Sequence, residues 1–249
     1  VTDTRPLIAL HVAAAEKVTA ANPHGWFTPG KYAELADSAI ATAKSVDAQG
    51  VIIWNGEGAS RYHQVGYEGT PANHAVWVAS LTKRLRAAGL KVGCTIRHTV
   101  IVLDEKKVPH QVEPWDIPTA IIRKIDDAKA RGCGDYAYVD SNSDARLTKV
   151  LDAGIFAAVH NARPDVLLIP EHEAEGYRAV SMPYRETREG PRKGPAGGEV
   201  VNLQFGDDYG VKLAPEMLAQ LREDRAAGSI FLVRWYDSPE SRVLKEQLK

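Results

Sequence analysis

The sequence predicts a (β/α)8 barrel, and three observations carry the prediction. First, short apolar runs recur along the chain, and each ends in a polar or ionisable cluster. Gly50-Val-Ile-Ile-Trp54 runs into Asn55-Gly56-Glu57-Gly58, Lys91-Val-Gly-Cys-Thr-Ile96 into Arg97-His98, and Tyr136-Ala-Tyr-Val139 into Asp140-Ser141-Asn142. Val166-Leu-Leu-Ile-Pro170 runs into Glu171-His172-Glu173, and Ile230-Phe-Leu-Val233 into Arg234-Trp235-Tyr236-Asp237. Unbroken apolar runs fit strands buried on both faces, and polar groups at their C-terminal ends fit a parallel barrel with its chemistry at one mouth. Second, amphipathic stretches with helical spacing separate most of the runs. Third, the 249 residues suffice for one barrel domain spanning 1–249. An open doubly wound sheet is the competing α/β fold, but its glycine-rich phosphate turn is missing, since neither G-x-G-x-x-G nor G-x-x-x-x-G-K occurs.

The first strand is read at Pro6–Val12. A long loop with Asn22-Pro23-His24-Gly25 turn chemistry and the loop aromatics Trp26-Phe27 follows. Thr28-Pro29 has the pattern of an N-cap with proline in the first helical position, and helix one continues to about Ala48 on a stripe of Leu35, Ala39, Ile40, Ala43 and Val46. Strand two is Gly50–Asn55. Thr70-Pro71 repeats the cap and opens a helix ending at Gly89. Strand three is Lys91–Arg97, with a second long loop over 98–116; Asp116-Ile117-Pro118 then starts a helix that reaches Gly132. Strand four is Tyr136–Asp140. Ser143 or Asp144 is expected to cap a fourth helix bearing Leu147, Leu151, Ile155 and Val159. Strand five lies within 164–173, ended by Pro170, which has no N–H for the ladder. Strand six is placed at Tyr177–Met182, with no good helix before it, and the charged, Gly/Pro-rich 185–199 reads as a loop or mobile flap on the active-site side. Strand seven is Val200–Phe205, helix seven Ala214–Ala227 and strand eight Ser229–Trp235; Ser238-Pro239-Glu240 opens the last helix.

Bulk properties narrow the function. A formal net charge of −1 supplies no basic excess for phosphate neutralisation, so nucleic acid is not the expected partner. No run approaches the roughly 20 apolar residues of a membrane span. Two cysteines, Cys94 and Cys133, do not make a disulfide scaffold. The first residues do not read as a signal peptide, but the chain begins at Val1, so its compartment, a secreted or surface location included, stays open.

In a barrel the strand ends converge. The expected mouth carries carboxylates (Glu57, Asp140, Glu171, Glu173, Asp207, Asp237), the donors Asn55, Arg97, His98 and Arg234, and aromatics including Trp26, Trp54, Tyr138, Tyr184 and Trp235. Aromatic faces stack on sugar C–H groups while carboxylates and amides bind hydroxyls, so a carbohydrate is the expected substrate, with no cofactor. Cleaving a glycosidic bond needs one protonated and one ionised carboxyl group across the bond. Asp140 and Glu171, on neighbouring strands, are the first pair: Asp140 as nucleophile or base, Glu171 as general acid because burial behind Ile169-Pro170 favours its protonated form. Glu57 is the rival for either role. Trp26, Asn55, Arg97, His98 and Tyr138 are candidate substrate contacts, as are Glu173, Arg234 and Asp237.

Three stretches, Trp54-Asn-Gly-Glu-Gly58, Ala88–Arg97 and Pro164–His172, resemble poorly characterised bacterial barrel proteins predicted to be glycoside hydrolases, a likeness covering most of residues 25–185. An aspartate on strand four with a glutamate on strand five also resembles the alpha-amylase and endo-alpha-1,4-polygalactosaminidase barrels. That resemblance implies a carboxylate pair at Asp140 and Glu171. Where the amylase pattern has an arginine two residues before the aspartate, this chain has Tyr138.

Each candidate also has a structural reading. Asp140 fits an Asx turn before a helix cap, Glu171 an ion pair with an inward arginine, and Asp207, Asp208 and Asp237 turn positions. His11 fits a satisfied core histidine. Two other functions remain open: a non-catalytic carbohydrate-binding or structural barrel within a larger surface or viral protein, and a metal-dependent hydrolase or isomerase using Glu57, His98, Glu171 and His172 or Glu173. Neither H-E-x-x-H nor an H-x-H after strand one is present.

Overall fold

The computed structural model describes residues 3–11, 29–54, 72–106, 109–143, 149–206 and 209–248. Among them, eight parallel strands form one sheet: β1 (Leu7–His11), β2 (Gly50–Trp54), β3 (Lys91–Arg97), β6 (Tyr136–Asp140), β7 (Leu167–Pro170), β8 (Tyr184–Glu186), β9 (Val200–Asn202) and β10 (Ile230–Arg234). Their spatial order, β7-β6-β3-β2-β1-β10-β9-β8, curls the sheet into a nearly closed barrel. Its ends meet where the Met182 N–H donates to the Leu168 carbonyl at 3.0 Å, just ahead of β8. Helices α1 (Pro29–Val46), α2 (Ala72–Ala87), α3 (Ile117–Ala130), α4 (Ala153–Ala162), α5 (Pro215–Ala226) and α6 (Pro239–Gln247) pack outside. The fold is the (β/α)8 barrel.

Side-chain alternation sorts the strands into two cores. Ile8, Leu10, Val51, Ile53, Val92, Cys94, Val139, Leu168, Phe231 and Val233 point outward into the helices. Leu7, Ala9, Ile52, Tyr136, Tyr138, Ile169, Tyr184, Val200, Ile230 and Leu232 form a second, separate cluster that fills the interior. At the barrel floor Tyr136 lies across the interior, its hydroxyl donating to Gln49 Oε1 at 3.1 Å. Two glycines make room for it. A Cβ on Gly93 would lie 2.3 Å from Tyr136 Cβ and 2.5 Å from its carbonyl oxygen, and one on Gly50 would lie 2.7 Å from Cε2. The Gly93 neighbours are rigid atoms, so Gly93→Ala is expected to cost about 3 kcal/mol, the upper range for overpacking, measured by urea unfolding. A loss under about 0.5 kcal/mol, the ordinary effect of a surface substitution, would show that strand β6 moves aside freely.

Several elements differ from the sequence expectation. The 98–116 loop contains an antiparallel hairpin, β4 (Val100–Leu103) paired with β5 (Pro109–Val112). Its first strand is a four-residue apolar run, Val-Ile-Val-Leu, and its second, Pro-His-Gln-Val, is largely polar, so the pair is too short and too mixed to stand out from a loop. The fourth helix starts at Ala153, capped by Asp152, whose side chain accepts the Gly154 N–H. Ser143 does not cap it but forms a β-bridge with Val150, and Leu151 lies before the helix; Asp144 and Leu147 lie outside the described residues. The sixth barrel strand is Tyr184–Glu186, while Tyr177–Ala179 is a single 3-10 turn. A three-residue strand has no apolar run to announce it, so the nearby Tyr177–Met182 stretch drew the assignment.

The segment expected to be a flap runs from the end of β8 to the start of β9 and is tied down by buried charges. Arg185 donates to Glu199 (2.9 Å) and to Asp224 of α5 (2.5 Å); Arg178 also reaches Glu199, and Arg192 reaches Asp224. Asp224 is fully buried and Glu199 nearly so. An ion-pair network thus fills the place that an apolar helix face takes elsewhere around the barrel.

Candidate active site

The residue that follows the interior aromatic or aliphatic layer, two positions on, also points inward. This parity brings His11, Trp54, Arg97, Asp140, Glu171, Glu186 and Arg234 to the C-terminal mouth, one from each of seven strands or strand ends. The floor beneath them is aromatic. Trp54 lies 4.1 Å from Tyr138 and 5.9 Å from Tyr184, and the two tyrosine rings meet edge-on at 4.9 Å. His11, expected in the core, sits at the rim between Trp54 (5.7 Å) and Trp235 (5.5 Å).

Asp140 and Glu171 are in register on neighbouring strands, following the Val139–Pro170 pair. Arg97 Nε donates to Asp140 Oδ2 at 2.5 Å, and its Nη1 donates to Gln111 Oε1 at 3.1 Å. Gln111 belongs to β5, so the hairpin braces the arginine that faces Asp140. Glu171 Oε2 accepts the Ser141 backbone N–H at 2.6 Å. Ser141 has φ 51, a left-handed conformation uncommon for a residue with a side chain, which turns its N–H toward the carboxylate. Asn142 locks the two loops together, donating to the His172 carbonyl (3.0 Å) and accepting the His172 N–H (2.7 Å).

Burial first, and then the Asp140 charge, pushes the Glu171 carboxyl above the usual glutamate range, outweighing the Ser141 N–H and nearby His172, which act the other way. A carboxyl whose folded pKa is raised costs stability only when it must ionise. The cost is absent below the unfolded value of 4.5, where both states are protonated, and is complete once the pH passes the folded value. Glu171→Gln is therefore expected to raise Tm at neutral pH, by about 2–4 °C for each kcal/mol released in a chain of this size, with no gain below pH 4.5. Thermal unfolding across pH checks this; a pH-independent difference between the two proteins would mean that Glu171 is not destabilised as an anion.

The other candidates fall in different places. Tyr138 is in the floor, where burial holds its hydroxyl well above the ordinary tyrosine range. His98, next to the inward Arg97, is buried; its Nδ1 has no hydrogen-bond partner among the described residues, and burial with the Lys124 and Arg97 charges pulls it down to about 4. It is a neutral imidazole at physiological pH. Glu173 pairs with Arg178. Asp237 is exposed beside α6 and pairs with Arg242 at 3.0 Å. Arg234 stacks over Tyr209 at 4.3 Å, donates to Tyr236 Oη, and lies 3.6 Å from buried Glu240. Trp26, Asn55, Glu57, Asp207 and Asp208 lie outside the described residues. Among the described residues no group of three or more His, Cys, Asp or Glu side chains is placed to hold a metal ion, and no helix is long and apolar enough to cross a membrane.

Sequence reasoning missed Glu186. It ends the sixth strand, its side chain only 14% exposed. Oε1 accepts from the Tyr184 hydroxyl (2.7 Å) and Gln204 Nε2 (3.2 Å), and Asn202 Nδ2 donates to the same tyrosine hydroxyl (2.6 Å). One signal was available: Tyr184-Arg-Glu186 repeats the aromatic-x-acid spacing of Tyr138-Val-Asp140.

Fold and site together define a (β/α)8 barrel with three carboxylates on one wall of its mouth and an aromatic floor. No protein-family model matches the chain, and no curated protein does. Among solved structures it is similar to an alpha-amylase from Geobacillus thermoleovorans complexed with acarbose, with a TM-score of 0.54 and 11% identity over 98% of this chain and 77% of that one. A noncanonic maltogenic alpha-amylase from Thermotoga neapolitana (TM-score 0.53, 11% identity, 98% and 75%) and an alpha-amylase from Malbranchea cinnamomea (0.53, 10%, 98% and 72%) are alike to the same degree. At such identities the likeness establishes the shared barrel.

Proposed function

We propose that the chain is a glycoside hydrolase acting on an oligo- or polysaccharide, with Glu171 as general acid and Asp140 as nucleophile or base. The observation that carries this reading is the pair itself. Two carboxyl groups, in register at the mouth, stand in contrasting environments: Asp140 faces the Arg97 guanidinium, and Glu171 is pushed toward its protonated form. That division of labour is what glycosidic cleavage requires, the acid protonating the leaving oxygen while the carboxylate attacks the anomeric carbon or deprotonates water. Trp54, half-buried over Tyr138, provides a face for a pyranose ring. The similarity to amylase barrels supports the reading at the level of fold.

Release of reducing ends across a panel of oligo- and polysaccharides, with and without added divalent metal, tests it. Hydrolysis of one glycan without metal supports the assignment. Glycan binding without turnover would favour a carbohydrate-binding barrel, and activity only with metal a metal-dependent hydrolase.

A further inference from the structure

Glu186 and Arg188 stand outside the catalytic pair, yet their geometry belongs to the mouth. Asp140, Glu171 and Glu186 end three consecutive barrel strands. Glu186 is clamped: Tyr184 and Gln204 fill both acceptor positions of Oε1, and Arg188 Nε takes one on Oε2 at 2.5 Å. One acceptor position of Oε2 is left. Arg188 is 52% exposed, and its remaining guanidinium N–H groups have no protein partner among the described residues. The turn that carries Arg188, Thr187–Glu189, is fixed from beneath, where buried Thr187 Oγ1 accepts the Gln204 N–H at 2.8 Å. A free acceptor and free planar donors are thus held side by side by a rigid backbone.

We propose that Glu186 and Arg188 form a subsite that reads two neighbouring hydroxyl groups of the sugar. One hydroxyl donates to Glu186 Oε2, and the adjacent hydroxyl oxygen accepts from Arg188. A vicinal diol matches this couple because its two oxygens are spaced like the carboxylate–guanidinium edge, and each bond has a charged partner. The clamp on Oε1 keeps the carboxylate from rotating away. Glu186 is then a specificity-determining residue rather than a second base, since Tyr184, Gln204 and Arg188 leave it little freedom to move toward an anomeric carbon. This proposal rests on the carbohydrate reading of the mouth but not on turnover.

The test is binding of free monosaccharides, which undergo no hydrolysis. Dissociation constants of glucose, galactose, mannose, fucose, N-acetylglucosamine and N-acetylgalactosamine are measured by calorimetry or tryptophan fluorescence on wild type, Glu186→Gln and Arg188→Ala, with near-ultraviolet circular dichroism to verify the fold. The monodeoxy derivatives of the tightest binder follow. Both variants are expected to bind that sugar about tenfold or more weakly, the ordinary value of a hydrogen bond to a charged group. In wild type, removal of either of two adjacent hydroxyls costs a similar factor; in the variants the same removals cost little. Arg188→Lys, which keeps charge without the planar fork, is expected to recover only part of the loss. Unchanged affinity in both variants, an equal penalty for every deoxy position, or no binding of any sugar to wild type overturns the proposal. Diol-dependent binding without glycan hydrolysis would leave this subsite standing and remove the hydrolase reading alone.

Discussion

Glu171→Gln is expected to lower kcat/KM on the natural glycan by about 10²–10⁴-fold, the usual contribution of general acid catalysis, while leaving the fold intact. Glutamine fills the same space and still accepts the Ser141 N–H, but it has no proton to give the leaving oxygen. Asp140→Asn is expected to lose at least as much, because the carboxylate that faces Arg97 at 2.5 Å is the one proposed to attack or to activate water. An activated substrate separates the two roles. A 4-nitrophenolate leaving group departs without protonation, so on glycosides of 4-nitrophenol the kcat/KM of Glu171→Gln, which reports the bond-breaking step alone, is expected to stay near that of wild type and that of Asp140→Asn to fall nearly to zero. If Glu171→Gln loses the same factor on both substrates, Glu171 is not the acid; if both variants keep their activity, the chemistry lies on other carboxylates, Glu57 first among them.

The second large effect is on stability. Asp224→Asn is expected to cost about 3–5 kcal/mol, the range for removing one partner of a buried ion pair. Asp224 is 0% exposed and accepts from both Arg185 and Arg192. Neutralising it leaves two guanidinium groups around a site from which water is excluded, each with one remaining carboxylate partner, Glu199 or Glu223. Urea or thermal unfolding measures the loss. A change below about 1 kcal/mol would place the network among solvent-screened surface pairs. Because Arg185 lies between Tyr184 and Glu186 on the same short strand, the variant is also expected to weaken sugar binding in proportion to any loosening of β8.

The legible part of this protein was local. Runs such as Val51-Ile-Ile and Val166-Leu-Leu-Ile marked their strands, and Asp116-Ile117-Pro118 marked the start of the third helix, where the Asp116 side chain accepts the Thr119 N–H at 3.0 Å. Asp140 and Glu171 were visible as strand-end acids because their strands are apolar enough to see. Glu186 was not, since a three-residue strand owes its existence to pairing with Val200–Asn202 rather than to its own composition. The hairpin that braces Arg97 escaped for the same reason.

By itself the sequence determined the barrel and the stretches that end at its mouth, because burial on both faces leaves a continuous apolar mark and alternation fixes which side chains turn inward. Only the tertiary structure decided which charges meet. Arg97 pairs with Asp140 and not with Glu171, Arg234 is engaged with Tyr209, Tyr236 and Glu240, and Asp237 lies outside with Arg242. Register between strands sets these partnerships, and register is a property of pairs of segments far apart in the chain, which no single segment records.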